Sequence, residues 1–361
     1  MSSPGPVRMA DLAARHARVA AAVEAAVLEV LRSGRYVGGP VVDRAMTAVA
    51  AHFGWARAVG VNSGTDALVY ALQAVGVRAG DEVIVPAVTF FASAGAVCRI
   101  GARPVIADVR VGLPLLDPSD LPITSRTRAV MAVHLYGEHC ALPTLPVPIV
   151  DDSAQTAGAD PPCRTGEIAA VSFYPTKTLG AAGDGGCVLT DSEEVAGKLR
   201  LLTHHGMATH YIADQVDGVV GANSRLDAIQ AAIVHAHLAD LPARVQARRR
   251  NAAIYDAELP AAIERIPRSA GHPVHQYVLL LPPGADRERI VGRMKEAGVE
   301  TAIYYPRPLS AQPALAEFAR PTPRADAFCA RCLALPVHEG LTEGEIGRVI
   351  AGIRTALPVL G

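Results

Sequence analysis

The sequence predicts an α/β fold, a mostly parallel sheet covered by helices, followed by a smaller α+β domain. Two observations carry this. Between Ala58 and Thr190, short apolar runs bounded by Pro, Gly, Asn or Asp alternate with segments of helical spacing. Strand, helix, strand in regular succession is the pattern of a parallel, doubly covered sheet. From about Pro260 that rhythm gives way to a mixed set of strands and helices. A length of 361 residues suits one large domain, expected over residues 1–259, and a small one over 260–361.

Val19, Val23, Val27 and Leu31 recur at helical spacing and stop at Gly34, so the chain opens with an amphipathic helix and a glycine C-cap. Pro40 starts a second helix through Phe53, closed by Gly54. Ala58–Val61 reads as a strand running into Asn62-Ser63-Gly64-Thr65-Asp66 and a helix from Ala67 to about Val75. After the Gly80-Asp81 turn, Glu82–Val85 is a strand halted by Pro86, and Ala92–Ile100 is helical. Pro104–Val109, Arg128–His134 and Pro148–Asp151 are strands, and Ile168–Phe173 with a return strand around Cys187–Thr190 brings the sheet to seven. Ser192 caps a helix to about His204. A long helix follows from about Leu226 to Leu259, with a bend expected at Pro242, and its charged turn Arg244–Arg250 reads as a solvated face. In the small domain Val274–Leu281 and Thr301–Tyr305 are expected strands. Arg287–Ala297, Ala325–Leu333 and Thr342–Leu357 are expected helices, the last opened by the capping box Thr342-x-x-Glu345.

Composition narrows the partners. Lys+Arg of 34 against Asp+Glu of 35 gives no electrostatic reason to expect nucleic acid or an anionic membrane. Apolar residues make up 50% of the chain, yet no run approaches the ~18 needed to span a bilayer. Met1–Arg18 has no basic head followed by an apolar stretch, so a cytoplasmic location is expected. The six scattered cysteines suit a reducing compartment, and Cys329-x-x-Cys332 reads as two small buried residues rather than a zinc or redox pair.

The chemistry centres on Lys177, which follows the buried strand and a turn at Pro175. Desolvation at the edge of an apolar interior disfavours the ammonium and leaves an amine able to attack a carbonyl, as a Schiff-base lysine must. Ser63-Gly64-Thr65 lies at a strand-to-helix turn, where free N–H groups and the helix dipole favour an anion, although ordinary capping accounts for such a turn equally well. Asp151-Asp152-Ser153-Ala154-Gln155 ends another strand, and a carboxylate there either caps the turn or holds a protonated ring nitrogen. Ser172, five residues before Lys177, is within reach of the same anion. Phosphate clamp, ring-nitrogen acid and lysine together specify pyridoxal phosphate better than any one does.

Longer stretches carry a family likeness. Ser63–Leu68, Gly80–Ala87 with Thr89-Phe90, Val133–Gly137, Ser172–Lys177, Gly183–Gly186, Asn223–Asp227 and Tyr305-Pro306 closely resemble the DegT/DnrJ/EryC1/StrS family of fold-type-I, pyridoxal-phosphate-dependent sugar aminotransferases. The resemblance implies Lys177 as Schiff-base lysine and proton shuttle, Asp152 as the pyridinium partner, and Gln155 as the contact to the ring's phenolic oxygen. It implies Phe90 stacked on the ring, and Gly64, Thr65 and Ser172 at the phosphate. Asn223 would reach the phosphate of a neighbouring subunit, hence a homodimer with shared sites, and His134, Tyr304 and Tyr305 would lie near the sugar. Three departures stand out. The Gly137–Ile149 connection is short and Pro-rich, Tyr304 stands where many members have histidine, and Ser310 differs in what is expected to be the substrate region.

The expected activity is transfer of an amino group from an amino acid, glutamate by resemblance, to a nucleotide-diphosphate-linked keto-deoxysugar. The Phe173-Tyr174-Pro175 context resembles the members acting at C-3, with dTDP-keto-6-deoxysugars favoured. A C-4 enzyme, a keto-cyclitol aminotransferase and a cofactor-binding regulator without turnover are the rival readings.

Overall fold

The computed structural model describes residues 5–357. Its central sheet has seven strands: β1 (Arg57–Val61), β2 (Glu82–Pro86), β3 (Arg103–Ala107), β4 (Thr127–Val133), β5 (Ile149–Asp152), β6 (Ile168–Ser172) and β7 (Gly186–Thr190). Their order is β1-β7-β6-β5-β4-β2-β3. Only β7 runs against its neighbours; the other six share one direction. β2, β5 and β7 are buried at every position, as apolar strands covered on both faces must be. Alternation sorts the side chains between the two faces. Ala170 and Val188 enter one core with Leu72, Ile84 and Met131, while Ala169, Val171, Cys187 and Leu189 enter the other with Phe53, Trp55 and Leu241.

The helices begin and stop where local chemistry says they should. α1 (Leu12–Ser33) ends on Gly34, whose φ of 66° is left-handed, and α2 (Pro40–His52) starts on its proline. α3 (Gly64–Ala74) and α5 (Glu193–Leu202) are capped by Ser63 and Ser192 hydroxyls that accept from Asp66 and Val195 N–H. α4 (Ala92–Arg99) follows β2. α6 (Ala228–Glu258) is a single helix passing through Pro242.

Beyond α6, β8 (Glu264–Arg265), β9 (Tyr277–Leu280) and β10 (Cys332–Leu335) form a second, antiparallel sheet. With it go α7 (Arg287–Glu296), α8 (Pro323–Arg331) and α9 (Glu343–Ala356), the last with both capping-box bonds made. Two expectations fail here. Residues 301–305 form no strand beyond a bridge from Ala302 to Ala334, and the helix expected over Ala325–Leu333 ends at Arg331. A short apolar run such as Cys332–Leu335 fits a buried strand as well as a helix end, and the exposed edge of β9 recruits it. Cys329 and Cys332, expected buried, are buried, one in α8 and one in β10. The short β4–β5 connection holds no crossover helix.

Candidate active site

Because six strands run the same way, the carboxyl ends of β1, β2, β4, β5 and β6 open onto one edge of the sheet, where open α/β sheets bind ligands. A cleft of about 490 Å³ lies there, lined by Ser63, Gly64 and Thr65 after β1, Thr89 and Phe90 after β2, and Asp152 and Gln155 after β5. Ser172, Tyr174 and Lys177 after β6 line it too, and His275, Gln276, Tyr304 and Tyr305 close it from the C-terminal side. The expected residues thus converge, with two exceptions described below.

Lys177 is half-buried, and desolvation holds its amine below the usual lysine range against the opposing pull of Asp152. The chain has two other lysines, Lys198 and Lys295. Lys198 is shifted upward by Asp217 and Glu194, so the two amines are displaced in opposite directions.

Asp152 is buried, and desolvation raises its pKa although Lys177 and two hydrogen bonds work the other way. Ala154 N–H donates to its Oδ1 and Ser93 Oγ to its Oδ2, each at 3.2 Å; Thr89 Oγ1 supports Ser93 at 2.8 Å. A carboxylate this buried and so thinly satisfied lacks a cationic N–H partner across the cleft. A protonated pyridine nitrogen supplies one, so the residues present fit a pyridoxal ring. Gln155 accepts from Tyr136 N–H through Oε1, which leaves its NH2 toward the Tyr305 hydroxyl. Phe90 is 59% exposed at the mouth, 6.2 Å from the Tyr305 ring centre.

The anion corner depends on close approach. An added Cβ at Gly64 would sit 2.6 Å from Ser172 Cβ, and one at Gly186 would sit 2.6 Å from the Ser63 carbonyl carbon. The glycines let the first turn of α3 lie directly on the ends of β6 and β7, with its leading N–H groups facing the cleft.

Two predicted residues do not present their side chains to this cleft. His134 lies in the cleft wall, but its ring is wholly buried and turned away: Nδ1 accepts from Cys140 N–H at 3.1 Å and Nε2 is 3.5 Å from Asp151 Oδ1. Successive strand residues point to opposite faces, so Asp152 serves the cleft and Asp151, bound by Thr165 and Gly166 N–H, serves the other side with His134. His134 therefore braces the start of the β4–β5 connection from within the cleft wall. Asn223 is exposed and outside its own chain's cleft, with Oδ1 accepting from Arg225 Nε at 3.1 Å. Ser310, expected in the substrate region, does not line the cleft and is bonded to Thr322 at 2.6 Å.

Sequence reasoning passed over Ser93, Thr89, Tyr136, Gln276 and His275. Tyr136 carries a φ of 62° and hands Gln155 its N–H, while its hydroxyl donates to the Tyr304 carbonyl. His275 shares a 2.9 Å hydrogen bond with Thr178 Oγ1, one residue beyond Lys177. Thr89 and Tyr136 lay inside stretches that carry the family likeness but received no role there; Ser93, Gln276 and His275 gave no local signal.

Residues 18–354 match the sequence model of the DegT/DnrJ/EryC1/StrS aminotransferase family. The chain belongs to that family. Among its relatives, the dTDP-3-amino-3,4,6-trideoxy-alpha-D-glucose transaminase of Streptomyces venezuelae is 38% identical over 95% of this chain and 94% of its own length. A Geobacillus stearothermophilus protein named pleiotropic regulatory protein is 34% identical over 96% and 97%. The crystal structure of S. venezuelae DesV in complex with a ketimine intermediate superposes with a TM-score of 0.90 at 35% identity, covering 99% of this chain and all of that one. The family assignment makes this protein a pyridoxal-phosphate-dependent aminotransferase of fold type I. Among the described residues no helix is long and apolar enough to cross a membrane.

Proposed function

We propose that the enzyme moves an amino group from L-glutamate to C-3 of a dTDP-linked keto-6-deoxysugar, as a step in deoxyamino-sugar biosynthesis in the cytoplasm. The observation that carries this reading is the convergence in one cleft of Lys177, its pKa lowered by desolvation, with the buried Asp152. The name of the 38% identical relative supports C-3 and the dTDP carrier.

Bound pyridoxal phosphate supplies an electron sink for the carbon that exchanges its proton. In this reading Asp152 keeps the ring nitrogen protonated, and Ser93 and Ala154 hold that carboxylate in line. Lys177 Nζ takes the proton from the substrate carbon and returns it as general base and acid. Gly64, Thr65 and Ser172 would hold the phosphate, and Phe90 and Gln155 would hold the ring. Tyr304 and Tyr305 would face the sugar, the Tyr304 carbonyl held from behind by the Tyr136 hydroxyl.

Asn223, exposed and directed away from its own cleft, completes the phosphate site of a second copy in a homodimer. Exposed Tyr211, Ile212 and Val220 on the same excursion support a buried partner surface. The division at residues 259/260, at the end of α6, belongs to the same reading.

Incubating purified protein with glutamate and a panel of dTDP-, UDP- and GDP-linked 3-keto and 4-keto sugars tests it. The expected result is 2-oxoglutarate with a 3-amino product identified by NMR. A 4-amino product shifts the regiochemistry, turnover only with a keto-cyclitol replaces the substrate class, and absence of 2-oxoglutarate with every acceptor favours the regulatory reading.

A further inference from the structure

Two arginines of the charged turn of α6 are buried, while Arg249 is half-buried and Arg250 exposed. Arg244 and Arg248 are 1% and 4% exposed, and Arg15 of α1 joins them at 5%. One carboxylate faces all three: Glu339, from the loop between β10 and α9, lies 2.8 Å from Arg15 Nε, 2.8 Å from Arg248 NH2 and 3.8 Å from Arg244 NH1. Asp240, one turn earlier on α6, is the nearer carboxylate to Arg244, at 3.4 Å from its Nε. Four charged side chains so deeply buried require a use for the donors left over.

Those donors go to the lysine loop. Arg15 NH1 donates to the carbonyls of Pro175 and Lys177 at 3.0 and 2.9 Å, and Arg244 NH1 donates to that of Thr178 at 2.7 Å. Arg244 NH2 donates to the His237 carbonyl, and the His237 ring bonds the Gly180 carbonyl at 2.7 Å. Arg248 donates to the carbonyls of Val274 and His275, and His275 meets Thr178 Oγ1. Carbonyls on both sides of Lys177, and its own, are therefore held by guanidinium groups that share one carboxylate, Glu339, with Asp240 also on Arg244.

We propose that Glu339 is a positioning residue for Lys177: by orienting Arg15 and Arg244 it clamps the 175–180 loop. The docking of the β8–β10 unit, to which Glu339 belongs, thereby sets where the lysine amine sits in the cleft. The proposal rests on Lys177 being the reacting amine. Glu339 touches neither cleft nor substrate; its effect passes through main-chain carbonyls.

The test uses the full chain with two variants. Glu339→Gln keeps the shape and removes the charge. Arg15→Lys keeps the ion pair, while a single ammonium does not reproduce the planar fork that spans Glu339 and two carbonyls. Amino-group transfer is measured with cofactor loaded. Separately, cofactor-free protein is labelled with trinitrobenzenesulfonate at pH 7.5, and peptide mass spectrometry reads Lys177 against Lys198 and Lys295. A loosened loop exposes Lys177 to water and returns it toward ordinary lysine behaviour, so its labelling relative to Lys198 falls at least about threefold. A misplacement on the ångström scale costs kcat roughly 10- to 100-fold, with KM for glutamate changed less than about threefold. Glu339→Asp recovers part of both losses. Wild-type labelling ratio and kcat in both variants overturn the proposal, as does a parallel fall of all three labels with the melting temperature, which marks a merely structural role. Lys177→Arg is the separate arm: transfer at full speed there refutes the lysine assignment itself, whatever Glu339 does.

Discussion

Gly64→Ala tests the close approach that forms the anion corner. The new Cβ would lie 2.6 Å from Ser172 Cβ, 3.0 Å from Ser172 Oγ and 3.2 Å from Ser172 Cα. Ordinary carbon contacts sit near ~3.5–4 Å, so something must move by roughly 1 Å. Ser172 is registered against Gly186 inside the sheet, which leaves the first turn of α3 to shift. On stability the terms oppose each other. Gly64 has no left-handed φ, so alanine gains about 1 kcal/mol of helix propensity against ~1–3 kcal/mol of overpacking. The net loss is ~0–2 kcal/mol. For the cofactor there is no compensation: forfeiting one hydrogen bond from a helix N–H to a charged phosphate costs about 1.5–3 kcal/mol, which raises Kd roughly 10- to 150-fold. Fluorescence titration with pyridoxal phosphate measures this, and calorimetry of the cofactor-free protein follows stability. Gly197→Ala, on α5 with nothing within 4 Å of its added Cβ, is the control and should keep wild-type affinity. A Gly64→Ala protein that binds the cofactor within about twofold of wild type refutes the reasoning.

Asp152→Asn removes the charge that keeps the ring nitrogen protonated, and kcat should fall on the order of 10²–10³-fold in single-turnover assays. Cofactor-free Asp152→Asn should nonetheless be at least as stable as wild type at pH 7. A carboxyl whose folded pKa is raised favours folding below about pH 3.9 and loses that contribution as pH rises through its folded pKa, so at pH 7 wild type has none to lose. The buried histidines predict acid lability: burial lowers His52, His237, His272, His275 and His338, with His272 pushed down to about 3. Their contribution is complete above about pH 6.5 and is lost as pH falls toward 3, each histidine adding up to ~1.4 kcal/mol per pH unit. Melting temperatures between pH 7 and 4 check this, and His272→Asn should flatten the slope by about one proton. Reassociated mixtures of Lys177→Ala and Asn223→Ala chains should regain about a quarter of the wild-type sites if two copies share them; activity no higher than the sum of the parents sinks the shared site.

Most of the catalytic edge is legible in the sequence because each residue there is announced by its own neighbours. A strand end followed by Ser63-Gly64-Thr65, an aspartate closing Ile149–Asp152, and a lysine after a Pro turn are local patterns, and parallel strands bring their ends together without further instruction. Register decides what local pattern leaves open. Asp151 and Asp152 are equivalent as letters; the pleat assigns Asp152 to the cleft and sends Asp151, with His134, to the opposite side. That one-residue alternation puts the His134 ring beside Asp151 although the residue lines the cleft.

The buried guanidinium groups fail for a different reason. Arg244–Arg250 is indistinguishable from a solvated helix face by composition, because what pairs with the buried Arg248 is a carboxylate 91 residues downstream and what engages Arg244 is a carbonyl 66 residues upstream. No window along the chain contains both halves of such an interaction. Glu339 shows the reciprocal effect: burial alone would raise its pKa, and Arg248 and Arg15 drive it well below the usual carboxylate range. An isolated arginine or glutamate at these depths would be too costly to keep. The cluster is tolerable only when α1, α6 and the β10–α9 loop are all in place, and that is also the arrangement in which the Lys177 loop is held. Closing the second unit onto the first and presenting the lysine are, on these contacts, the same event.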